Sequence, residues 1–338
     1  MNNSLKRYAV FRALRREWNY LCGRRMRGRR SVRGLLGLYG PGEPEGVSQG
    51  RMIVFMADGR SIQGGWVDRL HGIVSLWRFA RGRGYDFRIN YCHPIRLERY
   101  LEPAGYDWRL RPGELTYNSD VAHPFRLMTF GETGPREWRF QQDMMERYLS
   151  GRWRQCHVYS SYDYADGEMA GLFAELFRPT ELLAGAMRPV SERLGEGYVS
   201  VSTRFMELLG DFVEPKRARL PLAGPEREEL IGRCLEAVGD VHRRHPDARV
   251  FVTSDSALFL SRASALPYVV VAEGDICHAD LAADVSGDAD PHLKTFVDFM
   301  LVAGASKAYQ IKAGSMYGGN FSRCAALVGG VEFERIDG

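Results

Sequence analysis

The sequence predicts an α/β protein made of two Rossmann-like domains with a cleft between them. Short apolar runs alternate with amphipathic helical stretches from Met52 onward, the pattern of strands covered by helices. The alternation falls into two successive series. The length, 338 residues at 45% hydrophobic and 26% charged, suffices for two separate cores.

In the first series "MIVFMA" (52–57) reads as a buried strand, 67–81 as a helix and "DFRINY" (86–91) as the next strand. This is a βαβ unit, which implies a parallel sheet. Residues 94–135 are irregular and rich in aromatics, and give no element. Helices are expected over 136–151 and 166–177, with Pro179 ending the second. The second series runs strand 197–205, helix 226–245 behind Pro225, strand 248–255, helix 256–266 and strand 268–272. It closes with helix 292–306, strand 307–311 and helix 320–328. The expected division is therefore a leader and linker over 1–51, an N-terminal α/β domain over 52–180, and a C-terminal one over 181–338.

Charge is unevenly spread. Residues 1–34 hold eleven Lys and Arg against one acid, Glu17, a net +10, so the other 304 residues carry −6 of the overall +4. That balance gives the main body no electrostatic footprint for nucleic acid. Within the leader Tyr8, Phe11, Leu14, Trp18 and Leu21 recur at helical spacing among Arg12, Arg15 and Arg16. Apolar burial with arginines around it suits an anionic membrane surface. The alternatives are a helix lying on the protein's own acidic body and an import presequence. No run approaches the ~20 apolar residues of a membrane span, and "GLLGLYG" is too short for a secretory signal. The expected location is cytoplasmic, peripheral at the inner face of the plasma membrane. The six cysteines are scattered with no CxxC pair, and the eight histidines form no HExxH. Neither a disulfide framework nor a metal site is expected, and no cofactor.

In open α/β sheets ligands gather at the carboxyl ends of strands, and four such places carry chemistry. "QGGWVDRL" places Gly64 and Gly65 before a helix whose first turn holds Asp68 and Arg69; it reads as a plain turn or as a close approach to an anion. "VSVSTRFMELLGDF" ends a strand on Ser202, Thr203 and Arg204, a guanidinium suited to a diphosphate, with Glu207 or Asp211 as alternative ion-pair partners. "VTSDS" offers Ser254, Asp255 and Ser256, either as helix caps or as nucleotide contacts. "IKAGSMYGGNFS" brings Ser315, Tyr317 and Ser322 to a strand-to-helix turn. His292, Lys294 and Asp298 read as solvated surface residues.

Taken together, "GGWVDRLHGIVS", "VSVSTRF", "VFVTSDS" and "GSMYGGNFS" resemble, in order, motifs of the fucosyltransferase superfamily, which includes nodulation-type α-1,6-fucosyltransferases and protein O-fucosyltransferases. The resemblance implies a GT-B-like fold, with an acceptor-side domain followed by a nucleotide-sugar domain. It also implies inverting, metal-independent transfer of fucose from GDP-fucose to a glycan or lipid-linked acceptor. On this likeness Arg204 holds the donor diphosphate, Asp68 lies near the sugar or phosphate, and Asp255, Ser315 and Tyr317 line the nucleotide pocket. Gly64, Gly65, Arg69, Ser202, Ser254, Ser256 and Ser322 complete the donor side; Asp68, Glu207 and Asp211 are the candidate bases. The family's motif is close to His-x-Arg-x-Gly-Asp, whereas here Ser202 stands in the His position and Gly210–Asp211 comes several residues late. A non-catalytic binding protein of the same fold, and an enzyme using another nucleoside diphosphate sugar, are the rival readings.

Overall fold

The computed structural model describes residues 32–42, 50–128, 135–165, 167–212, 220–276, 290 and 292–338. The basic segment to residue 31 and residues 43–49 of the linker lie outside the described residues. The chain forms two units, each discontinuous in sequence. The first is Met1–Gln63, His71–Asn90 and Arg109–Tyr164; the second is Gly64–Leu70, Tyr91–Trp108 and Ala165–Gly338. The sequence reading divides the chain once after its linker, at 180. The Gly64–Gly65 turn, expected in the N-terminal domain, belongs to the second unit.

The first unit is built on a four-stranded sheet in the order β2-β1-β5-β4, from β1 (Met52–Ala57), β2 (Asp86–Tyr91), β4 (Ala122–Leu127) and β5 (Gln155–Ser160). β1 and β4 both run parallel to β5. Every residue of "MIVFMA" is buried, as a strand covered on both faces requires. Helix α1 (Trp66–Arg81) packs on this sheet through Gly72, where a Cβ would collide with the Ser160 carbonyl. Helix α2 (Pro135–Leu149) follows β4. Two strands of this unit's sheet, β4 and β5, are additional to the sequence reading. β4 contains Pro124, tolerated because the strand is at the sheet edge.

β5 carries Gln155 and His157, both buried, and survives because each is satisfied. The Tyr39 hydroxyl donates to His157 Nδ1 at 2.6 Å, and His157 Nε2 donates to Gln155 Oε1 at 2.6 Å. The same Oε1 accepts from the Thr116 N–H at 3.0 Å. This pattern fits a neutral ring, and burial, with Arg60 and His123 adding to it, holds His157 down to about 3.

The second unit has a five-stranded parallel sheet in the order β11-β10-β7-β8-β9. Its strands are β7 (Val199–Thr203), β8 (Val250–Ser254), β9 (Val269–Val270), β10 (Lys307–Lys312) and β11 (Glu332–Asp337). The chain starts at β7, works outward to β9, then returns to β10 on β7's other side. The topological switch point therefore lies between β7 and β10. Val199, Val201, Val250, Val252, Tyr309 and Ile311 share one core with α5 (Gly224–Arg244) and α6 (Ala257–Ala263). By alternation, Ser202, Thr253 and Gln310 point to the opposite face, the side of α7 (Leu293–Ala303) and α8 (Phe321–Gly329). Gly329 lets α8 touch the Ala303 carbonyl of α7. A short ribbon of β3 (Leu101–Pro103) and β6 (Phe177–Pro179) belongs to this unit. So do α3 (Met169–Leu176) and α4 (Glu181–Leu194), the latter capped by Thr180.

Because His157 is held neutral when folded, the unfolded chain takes up a proton below about pH 6.5 that the folded chain refuses. Stability should fall as pH drops from about 6.5 toward 3, at up to about 1.4 kcal/mol per pH unit. Urea unfolding of His157→Gln should show a smaller loss between pH 7 and pH 5 than the parent protein. An identical loss in both would contradict this.

Candidate functional site

The carboxyl ends of β7, β8 and β10 open on a cavity of about 430 Å³ whose lining belongs wholly to the second unit. Its floor is a polar row one step back from the strand ends, since Gln310 pairs with Ser202 and Ser202 with Thr253 across the sheet. Its walls are the Arg204 loop, the Tyr317–Ser322 turn, the first turns of α7, and the Gly64–Gly65 turn with Asp68.

Asp255 organises the Arg204 loop. Its Oδ1 accepts from the Phe205 N–H at 2.8 Å and its Oδ2 from the Met206 N–H at 2.7 Å. Met206 sits at φ +56°, in the left-handed region. A side chain there costs about 1–2 kcal/mol, which two charge-assisted hydrogen bonds offset. The Arg204 guanidinium stands 3.7 Å from the same Oδ2 and over the Phe212 ring at 5.2 Å. Burial pushes the Asp255 carboxyl up, against the pull of Arg204 and the two N–H groups.

The far end of this loop is fastened as well. Asp211 Oδ2 accepts from Ser256 Oγ and from the Leu258 N–H, each at 2.8 Å. Ser256 in turn caps α6 by accepting from the Phe259 N–H at 3.1 Å. The Thr203 hydroxyl donates to Ser254 Oγ at 2.8 Å. The Thr253 hydroxyl donates to Asp298 Oδ2, so all four residues of "TSDS" are engaged inside the protein, although Thr253, Ser254 and Asp255 also line the cavity. Asp211, Glu207, Ser256 and Ser315 are outside the lining.

Gly64 has φ +89°, and a Cβ there would fall on the Asp68 carboxylate, which folds back over the turn. The close approach that requires glycine is therefore to the helix's own first turn. A Cβ at Gly65 would meet nothing within 4 Å. Arg69 Nη1 donates to the Tyr91 hydroxyl at 2.8 Å and to the His93 carbonyl at 3.0 Å, away from the lining. Tyr317 is 40% exposed at the cavity mouth, and its N–H donates to the Arg204 carbonyl at 3.3 Å.

His292, Lys294 and Asp298, expected as solvated surface residues, are all buried, and Lys294 and Asp298 line the cavity. Lys294 Nζ donates to Asp298 Oδ2 at 2.7 Å, and the Thr253 hydroxyl to the same oxygen at 2.6 Å. Burial pushes the Asp298 carboxyl up against both partners. The available signal was their four-residue spacing on an otherwise apolar helix, which puts both charges on one face. Asp298 Oδ1, Ser202 Oγ and Ser322 Oγ are buried without a hydrogen-bond partner, and all three residues line the cavity. Unsatisfied buried polar atoms converging on one cavity mark a place for a polar ligand. Among the described residues no group of three or more His, Cys, Asp or Glu could hold a metal ion, and no helix is long and apolar enough to cross a membrane.

No family model matches the sequence, and no curated protein sequence does. Solved structures match the fold. NodZ α-1,6-fucosyltransferase co-crystallised with GDP is 13% identical, with a TM-score of 0.52 over 85% of this chain and 96% of that one. Fucosyltransferase NodZ from Bradyrhizobium is 14% identical, with a TM-score of 0.50 over 83% and 94%. A variant of Arabidopsis thaliana FUT1 in complex with GDP is 12% identical, with a TM-score of 0.50 over 90% and 77%. The chain is an α/β protein of the GT-B class. Its fold is the one these fucosyltransferases share.

The account of the Arg204 loop makes Asp255→Ala a test of loop order. Losing both acceptors should cost about 1–3 kcal/mol of stability. It should also raise amide exchange at Phe205 and Met206 while leaving β10 protected. Unchanged exchange at those two amides would show that the loop does not depend on Asp255.

Proposed function

We propose that the protein is a glycosyltransferase that moves fucose from GDP-fucose to a hydroxyl of a glycan or lipid-linked acceptor, with inversion and without a metal ion. The observation that carries the reading is Arg204, held at the carboxyl end of the central strand beside the topological switch point. That is where open α/β sheets take nucleotides. NodZ, of the same fold, was crystallised with GDP and soaked with GDP-fucose, which supports the choice of donor.

In this mechanism the diphosphate lies against Arg204 and the N-terminus of α8. The guanidinium and the helix's unpaired N–H groups neutralise charge as the leaving group departs. The counter-charge is already in place, so no divalent ion is called upon. An acceptor hydroxyl attacks the anomeric carbon from the opposite face. Of the three candidate bases Asp68 is the one that lines the cavity, while Asp211 is spent on capping α6. Asp68 is therefore assigned to take the acceptor's proton.

The basic segment extends this reading to location. Each Lys or Arg near an anionic surface contributes about 1 kcal/mol, so the segment would hold the enzyme where lipid-linked acceptors lie. The full chain should co-sediment with phosphatidylglycerol-containing vesicles at low salt, and a chain lacking residues 1–34 should not. Equal sedimentation of the two would overturn this part.

For the chemistry, Arg204→Ala should lower kcat/KM for transfer from GDP-fucose by roughly 2–4 kcal/mol of transition-state stabilisation. Turnover at the parent rate would sink the assignment.

A further inference from the structure

Gln310 lies buried in the cavity floor, and both ends of its amide are engaged. Its Nε2 donates to the Gly319 carbonyl at 2.7 Å, and its Oε1 accepts from Arg335 Nε at 3.0 Å. A guanidinium only donates and a carbonyl only accepts, so the amide fits in one orientation alone. Arg335 stands in register with Gln310 on the neighbouring strand β11, which keeps that donor beside Oε1. A carboxylate in place of the amide would set a lone pair against the Gly319 carbonyl. An apolar side chain would leave both partners unmet.

The carbonyl that Gln310 holds belongs to the turn against which Arg204 lies. A Cβ at Gly319 would stand 3.5 Å from Arg204 Cδ, so the arginine stem rests on that residue's backbone. Two residues earlier the Tyr317 N–H donates to the Arg204 carbonyl at 3.3 Å, and the Tyr317 carbonyl accepts from the Gly319 N–H at 3.1 Å. Arg335 meets the same turn, since a Cβ at Gly318 would stand 3.4 Å from its Cζ. The turn thus touches Arg204 on backbone and side chain, and Gln310 ties it to β10.

Resting on the nucleotide-sugar reading above, we propose that Gln310 is a positioning residue for Arg204, and that Arg335 acts through Gln310. The amide holds the turn and the turn holds the Arg204 stem, so the guanidinium is in place before a diphosphate arrives. Ordering a long side chain beforehand spares the loss of its rotamer entropy on binding. Asp255 performs the corresponding task on the two amides that follow Arg204. The two restraints are complementary: one fixes the backbone after the arginine, the other the surface along which its side chain runs.

Calorimetric titration of the full-length protein with GDP, at about 0.5 M salt so that exposed charge is screened, tests this. Gln310→Met alone should weaken GDP binding about tenfold, but by less than about twofold when added to Arg204→Ala, since nothing is then left to position. An undiminished loss in the Arg204→Ala background would show that Gln310 acts on the ligand itself, and would overturn the proposal. Arg335 is exposed, so Arg335→Met serves where the buried substitution does not fold. It should weaken GDP about fivefold, and again by less than about twofold without Arg204. Amide exchange reads the same device with no nucleotide present. Exchange at Tyr317 should rise at least about tenfold in either variant, while that at Met206 is unchanged. The parent's exchange rate at Tyr317 in both variants would overturn the proposal. A parent protein that binds no GDP overturns the nucleotide reading, whereas one that binds it as tightly after Gln310→Met overturns this proposal alone.

Discussion

The candidate site depends on one carboxylate holding two adjacent backbone amides. Asp255 fixes Phe205 and Met206, and this keeps Met206 in a conformation that an unconstrained chain avoids. It also turns the chain sharply after β7, so Arg204 stands beside the sheet's carboxyl edge over Phe212. Asp211 fastens the loop's other end to the start of α6. An arginine that grips a diphosphate must be ordered beforehand, because its rotamer entropy is otherwise lost on binding. The two aspartates supply that order at the level of the backbone.

The same cavity separates charge from shape. Arg204 supplies positive charge near the mouth, while Lys294 and Asp298 cancel each other deeper in the unit's interior. Burying two ions is costly unless their hydrogen bonds are nearly complete. Asp298 is complete on one oxygen and open on the other. Its open oxygen, Oδ1, is a buried acceptor in a residue of the cavity lining. Ser202 and Ser322 add hydroxyls with the same open valence. The lining therefore offers hydrogen bonds to an uncharged polar ligand as well as charge to an anionic one.

Strand β1 was legible because a strand buried on both faces is apolar along its length, while β7, β8 and β10 were legible from their buried Val, Phe, Tyr and Ile residues, which the polar residues on the other face interrupt without hiding. β5 was not, because "QCHVYS" hides Gln155 and His157 whose partners, Tyr39 and Thr116, come from distant sequence. β11 alternates at a sheet edge with little burial, which leaves almost no hydrophobic signal. In the site, Arg204 and Asp255 were found as strand-end residues. Asp255's actual task, holding amides that precede it by some fifty residues, is a tertiary fact. Lys294 and Asp298 were misread for the same reason: two charges on a helix look solvated until Thr253 is seen beneath them. The turn at Gly64 was legible as a turn that needs glycine, but not what crowds it, since Asp68 folds back from the next helix.

The most direct test of the account is a crystal structure of the protein with GDP. It predicts the β-phosphate within hydrogen-bond distance of the Arg204 guanidinium, with Asp255 still holding Phe205 and Met206. A nucleotide bound elsewhere, or one seated in this cavity with Arg204 turned away from its phosphates, would contradict it.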